Sequence, residues 1–247
     1  MPILNDSELD QITLPNSHYG YSATRLEDLG ATEYTIATIV ADVSGSTAAF
    51  ILDMEAAIVR IVQACKFSPR ADNLLLRLVA FDDSIGELHG FKLLENCNLA
   101  DYGGTLRSGG STAVYDATHN AVASTTNYAQ KLSSADFAAN AIVFVITDGM
   151  DNASKLSAKK VKAAMEDAVR TEALESVVSV LIGLGVQDAE VSRYLKKFQS
   201  DAGFTQYVEV DQADAKTLAR LVEFVSQSIS AQSQALGTGG GSQQLVF

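Results

Sequence analysis

Nowhere in this 247-residue chain does an apolar run approach the roughly 18 residues that a helix needs to cross a bilayer, so no helical membrane span is expected. Cysteine is scarce too. Cys65 and Cys97 make neither a disulfide framework nor a metal-ligand spacing, and Cys65, which continues an apolar helical stripe, is expected as a buried free thiol. His18, His89 and His119 are scattered, with no pair at helical spacing, which argues against a zinc site. Basic residues are outnumbered, 18 against 30 acidic, leaving a formal net charge of −12. Such a surface repels phosphate backbones and argues against nucleic acid and anionic membranes as main partners. The opening MPILNDSELDQ lacks a basic flank followed by an apolar stretch, so no secretory leader is expected and a cytoplasmic location is favoured. Phosphate loops of the G-x-x-x-x-G-K-[ST] type and G-x-S-x-G nucleophile elbows do not occur. Gly183-Leu184-Gly185 follows a strand pattern, but Asp188 stands where a dinucleotide loop would carry its third glycine.

What is present is an ordinary globular composition, 47% hydrophobic and 19% charged. Residues 1–31 are mixed in character and read as an extension draped over the domain, with a short helical turn in SATRLEDLG. From residue 32 to about 230 the patterning alternates. Ile36 to Ala41 is apolar and largely β-branched, as in a strand covered on both faces. Ile51, Met54, Ile58, Ile61 and Cys65 then recur at helical spacing. NLLLRLVAF, AIVFVIT, SVVSVLIGLG and QYVEV read as further strands, and GELHGFKLLE as an antiparallel edge strand reached through a hairpin turn at DDSIG. Helices are expected over AVYDATHNAVASTTNYAQKL, SAKKVKAAMEDAVRTEA, AEVSRYLKKFQSDA and about Ala213 to Ile229. The expectation is a doubly wound, mostly parallel, six-stranded α/β sheet with one antiparallel edge strand and helices on both faces. Residues 231–247 change character. Gly237 to Ser242 is a flexible linker by composition, ending in Leu245, Val246 and Phe247, either a docking peptide for another protein or a frayed end.

Three segments supply oxygen ligands where strands end or a helix begins. They are Asp42-Val43-Ser44-Gly45-Ser46, Gly109-Gly110-Ser111-Thr112 and Thr147-Asp148-Gly149. In a doubly wound sheet these loops gather at the carboxyl ends of the strands, where such folds place their ligand crevice. Two carboxylates, Asp42 and Asp148, and three hydroxyls, Ser44, Ser46 and Thr112, offer no nitrogen or sulfur. That set suits a hard cation, Mg²⁺ first, with Mn²⁺ or Ca²⁺ as alternatives. Hydroxyls are neutral, so the two aspartates at most balance the ion's charge and leave it electrophilic toward an incoming acid. Nothing in the motif supplies a positioned base or nucleophile, so the chain reads as a binding module and not an enzyme. Asp116 is a candidate neighbour of the ligand shell or a local structural group, Asp151 a rim residue or an exposed turn, and Asp82-Asp83 turn punctuation.

The pattern D-x-S-x-S, then Thr, then Asp, at Asp42, Ser44, Ser46, Thr112 and Asp148, resembles the metal-ion-dependent adhesion site of von Willebrand factor A and integrin inserted domains. GGSTAVYDA and ITDGMDN are also similar to stretches of bacterial members, and the resemblance covers roughly residues 32 to 230. It implies direct metal contact by Ser44 and Ser46, contact often through water by Asp42 and Asp148, and either mode for Thr112. Thr47 departs from the methionine of many bacterial members. The resemblance implies a protein partner presenting Asp or Glu, in the setting of an AAA-type ATPase or a multiprotein stress or assembly complex. Two other readings stay open. One is a haloacid-dehalogenase-like phosphohydrolase using Asp42 as nucleophile, although Ser44 stands where that chemistry wants a second acid. The other is a structural subunit of an assembly, docked through the apolar tail.

Overall fold

The computed structural model describes residues 9–15, 20–236 and 245–247; His18 and the Gly237 to Ser242 linker lie outside the described residues. In chain order the strands are β1 (Leu9–Thr13), β2 (Gly20–Thr24), β3 (Glu33–Asp42), β4 (Leu74–Phe81), β5 (Ile85–Leu93), β6 (Ala138–Thr147), β7 (Val177–Leu184) and β8 (Gln206–Val210). The α-helices are α1 (Ile51–Lys66), α2 (Val114–Ser133), α3 (Ala158–Arg170), α4 (Ala189–Ala202) and α5 (Ala215–Ala235). The strands form one mostly parallel sheet in the order β1-β2-β5-β4-β3-β6-β7-β8.

Strand periodicity divides the core between the two faces of one sheet. Successive side chains of a strand point to opposite faces. Ile142, Phe144 and Ile146 therefore join Met54, Ile58 and Ile61 of α1 and Leu218, Leu221 and Phe224 of α5 on one face. Val143 and Val145 pack with Val114 and Ala117 of α2, Val161 of α3, and Leu195 and Phe198 of α4 on the other. Each of the larger side chains contributes about 1.5–3 kcal/mol when fully buried. Cys65 is a buried free thiol, as expected, and burial pushes it up to about 12, while the buried Cys97 donates its thiol to Leu93 O at 3.7 Å.

Two features differ from the sequence expectation. The sheet has eight strands and not six, and antiparallel β5 is not its edge. The segment before residue 31 supplies the difference. β1 and β2 form an antiparallel pair, and β2 runs parallel to β5 through Ala23 opposite Phe91. LDQIT and GYSAT are too short and too polar to show a strand period. They hold because of what they dock on. Arg77, 1% exposed, donates from Nε to Glu87 Oε1 at 2.7 Å, from Nη1 to Ser124 Oγ at 2.7 Å and from Nη2 to Asn120 Oδ1 at 3.0 Å. Glu87 Oε2 in turn accepts Ser22 N at 3.0 Å and Ser22 Oγ at 2.7 Å, tying β2 to the sheet. The approach is close at Gly90, where a Cβ would lie 1.9 Å from Ser22 O. Gly90→Ala is therefore expected to push β2 off the edge, lowering the unfolding free energy by about 1–3 kcal/mol. Denaturant melts together with faster proteolysis within residues 9–24 are the check, and unchanged cleavage there would contradict the contact.

The second difference lies in α5, which runs to Ala235 instead of ending near Ile229. Its last turns bury a polar face, invisible to hydrophobic periodicity. Asn140 Nδ2 donates to Gln232 O at 2.6 Å, and Gln232 Nε2 donates to Ser176 Oγ at 2.8 Å. Asp188, the residue that spoils the dinucleotide loop, caps α4 by accepting Glu190 N at 2.6 Å. Among the described residues no helix is long and apolar enough to cross a membrane.

Strand order fixes where a ligand site can lie. The chain passes from β3 to β4 on one side, then returns to place β6 on the other side of β3. The reversal makes the carboxyl end of β3 beside β6 the topological switch point, where open α/β sheets bind ligands.

Candidate metal centre

The parallel register of β3 and β6 sets Ala41 opposite Ile146, so Asp42 faces the level of Thr147, one residue before Asp148. Residues about a hundred positions apart thus share one sheet edge. Side-chain bonds then link them. Ser44 N donates to Asp42 Oδ1 at 2.8 Å, and Thr147 Oγ1 donates to Asp42 Oδ2 at 2.6 Å. Ser44 Oγ and Ser46 Oγ are 3.2 Å apart, and Ser46 Oγ donates to Asp148 Oδ1 at 2.9 Å. Asp42, Ser44, Ser46 and Asp148 form one hydrogen-bonded run, its first link through the Ser44 amide and the next two between oxygens. Exposure rises along it. Asp42 and Ser44 are buried, Asp148 is half-buried and Ser46 is exposed. The set is closed toward the core and open toward solvent.

Thr112 arrives on a separate loop that backbone bonds fasten to this edge. Gly109 N donates to Val43 O at 2.8 Å and Gly45 N to Gly110 O at 3.2 Å. Gly110 sits at φ 68, and a Cβ there would meet the Asp82 side chain at 3.0 Å. Glycine relieves both the backbone conformation and the contact. Thr112, 4% exposed, is clamped from the loop that follows the third segment. Asn152 Oδ1 accepts Thr112 N at 2.7 Å, while Thr112 O accepts the Asn152 and Ala153 amides at 2.9 and 3.1 Å. No side-chain bond joins the Thr112 hydroxyl to the other four residues. What the structure brings together is its loop.

Sequence reading missed three supports. Thr147 holds Asp42, and Asn152 holds the Thr112 backbone. Thr47, the departure from the bacterial pattern, donates its hydroxyl to Ser44 O at 2.8 Å and so bends the D-x-S-x-S turn. Only its side-chain chemistry hinted at this, since a threonine three residues after a turn residue can bond back to it. Asp116 is buried and accepts the amides of Lys155 and Leu156 at 3.0 and 2.8 Å, bracing the loop after β6. Asp151 Oδ1 accepts Tyr115 N at 3.4 Å, and its own amide donates to Tyr194 OH at 3.2 Å, so it is tied into the rim. Asp82 Oδ1 accepts Ser84 N and Ser84 Oγ, both at 2.8 Å, which is turn punctuation.

Burial pushes the Asp42 carboxyl up, against the hydrogen bonds from Thr147 and Ser44 that favour its ionised form, and the Asp82 charge adds to the rise. Burial pushes Asp148 up to about 6, with the Ser46 hydrogen bond opposing and the charge of Asp42 reinforcing the shift. Two crowded carboxylates short of solvent and without a basic partner leave a deficit of positive charge that a cation would fill. Among the described residues no group of three or more His, Cys, Asp or Glu side chains could hold a metal, so any ion here depends on hydroxyls. Beside the loops lies a pocket of about 420 Å³ with Val43, Asp82, Ser84, Gly104 and Arg107 in its wall. His89 is engaged elsewhere, between Gly90 O at 2.8 Å and Tyr102 OH at 3.0 Å.

No family model and no curated protein matches the chain. Solved structures do. The PilB minor pilin of Streptococcus sanguinis superposes with a TM-score of 0.58 at 15% identity, over 84% of this chain and 64% of that one. The pilus adhesin SpaC of Lactobacillus rhamnosus GG, in an open conformation, gives 0.57 at 11%, over 82% and 30%. Proximal thread matrix protein 1 of the mussel byssus, with a zinc-occupied MIDAS motif, gives 0.54 at 19%, over 82% and 47%. The fold is von Willebrand factor A-like. This chain spans less than two thirds of each of those proteins, and identities this low carry the fold alone. The von Willebrand factor A-like neighbours are adhesin, pilin and matrix proteins.

Proposed function

We propose that this chain is a metal-dependent protein-binding module, in which Asp42, Ser44, Ser46, Thr112 and Asp148 hold a hard divalent ion, Mg²⁺ first, that grips an Asp or Glu of a partner protein. The observation that carries the reading is the hydrogen-bonded run of residues from Asp42 through Ser44 and Ser46 to Asp148 at the switch point of a von Willebrand factor A-like sheet. Both Asp42 oxygens already accept bonds from Ser44 and Thr147, which suits a role through water better than direct ligation. The same engagement speaks against Asp42 as a phosphohydrolase nucleophile. Ser44, Ser46 and Thr112 would supply neutral oxygens, so the bound ion would keep positive charge for an acidic partner. A MIDAS motif in the mussel thread protein supports a divalent ion in this fold. Adhesin and pilin neighbours support a protein partner, and they lend nothing to an AAA-type ATPase setting.

The test is capture of partner proteins on the immobilised chain in Mg²⁺, eluted with chelator. Elution that disappears with Asp148→Asn is the expected result, and identical capture by wild type and variant would overturn the reading. A pH series adds a second test. Without metal, Asp148 protonates near 6 in the folded chain and near 3.8 unfolded. Between those values the folded state binds a proton that the unfolded state does not, so the contribution of Asp148 to metal-free stability falls as pH rises from about 4 to 6 and is then constant. The ion must displace that proton. The Mg²⁺-induced rise in Tm is therefore expected in full at about pH 7.5 and to shrink as pH falls through about 6. A pH-independent rise would count against Asp148 as a ligand.

A further inference from the structure

The last three residues do not trail away from the domain. Phe247 sets its ring edge-on to Phe224 of α5, with centroids 5.7 Å apart and planes at 90°. The Arg220 guanidinium, one helical turn earlier, lies 4.7 Å from the centre of the same ring. On the other side Gln206 of β8 donates its Nε2 to Leu245 O at 3.0 Å. Leu245 and Phe247 pack against the core that contains Val208, Leu221 and Phe224, while Val246 between them is 94% exposed. In–out–in alternation over three residues is how an extended peptide sits in a groove. Phe224 is itself 5% exposed and edges onto Phe144 of β6, so the groove floor is part of the core.

We infer that the groove between α5 and β8 is a docking site for an extended apolar–exposed–aromatic peptide, and that its resident occupant is this chain's own Leu245-Val246-Phe247, held in cis as a latch. An outside segment of the same chemistry reaches the groove only by displacing the tail. The site shares no residue with the candidate metal centre, so it stands or falls separately.

The probe is a dye-labelled peptide of residues 240–247, titrated by anisotropy against full-length protein. Phe247→Ser, which empties the groove, is expected to bind it at least tenfold more tightly than wild type, with no effect of chelator. Adding Arg220→Ala should weaken that binding several-fold, and a Phe-to-Ser peptide should not bind. Equal affinity for wild type and Phe247→Ser, or binding to neither, would overturn the proposal. A wild-type mass of two chains by light scattering, falling to one in Phe247→Ser, would also overturn the cis assignment, because the tail would then sit on a second copy. Should Phe247→Ser not fold, Arg220→Ala alone reads the same latch, since Arg220 is exposed. Proteolysis between residues 237 and 247 should then quicken several-fold, and an unchanged rate would refute the latch.

Discussion

Saturating Mg²⁺ is expected to raise the melting temperature of the wild-type chain by about 5–10 °C and to leave Asp148→Asn unmoved. An ion at a hundred times its dissociation constant adds about 2.7 kcal/mol, and a chain of this size gains roughly 2–4 °C per kcal/mol. The variant carries a second, less obvious expectation. Asparagine keeps an oxygen for the Ser46 hydroxyl but removes a charge that burial and Asp42 both oppose. Without metal, Asp148→Asn should therefore melt several degrees above wild type at pH 7.5. A raised Tm coupled to a lost metal response separates a site built for an ion from a structural carboxylate. If Asp148→Asn melted lower and still responded to Mg²⁺, the assignment of Asp148 would fail.

The second large effect belongs to the fold. Arg77→Ala should cost about 3–5 kcal/mol, because it empties a fully buried position and leaves the half-buried Glu87, with Ser124 and Asn120, short of a main partner. At roughly 2–4 °C per kcal/mol the Tm falls by about 10 °C or more. Ser22 would lose its anchor at the same time, so the β1–β2 pair should become the first segment cut by protease. Changing Arg77 and Glu87 together to Met and Leu should recover much of the loss, since a matched apolar pair leaves no unpaired charge behind. Equal melting of Arg77→Ala and wild type would mean that the network does not hold the edge.

How far the sequence could be read depends on which force each element answers to. β3, β6 and β7 are continuous apolar runs, because a parallel strand between helical layers is buried on both faces, and such runs are legible directly. α1 shows itself by three- and four-residue spacing. β1 and β2 were hidden because their stability comes from Glu87 and Gly90, about 65 residues away. The end of α5 was hidden for a related reason, as its buried face is Ser228, Gln232 and Ser233 and not a hydrophobic stripe.

At the candidate site the oxygen-bearing residues were visible as a motif, and strand order brought their loops to one sheet edge. Asn152 and Thr147 were not, because a residue that positions another is recognisable only once the fold shows what it touches. The seat of Phe247 was likewise beyond reach, since a short apolar end after a glycine-rich run carries no sign of which groove it fills.

The most direct measurement is the anomalous scattering of Mn²⁺ soaked into crystals of the wild-type chain. A single strong peak is predicted at the carboxyl end of β3, with the Ser44, Ser46 and Thr112 hydroxyls at bonding distance and Asp42 and Asp148 bound directly or through one water. No peak there, or one lying out of reach of Ser44 and Ser46, would contradict the account.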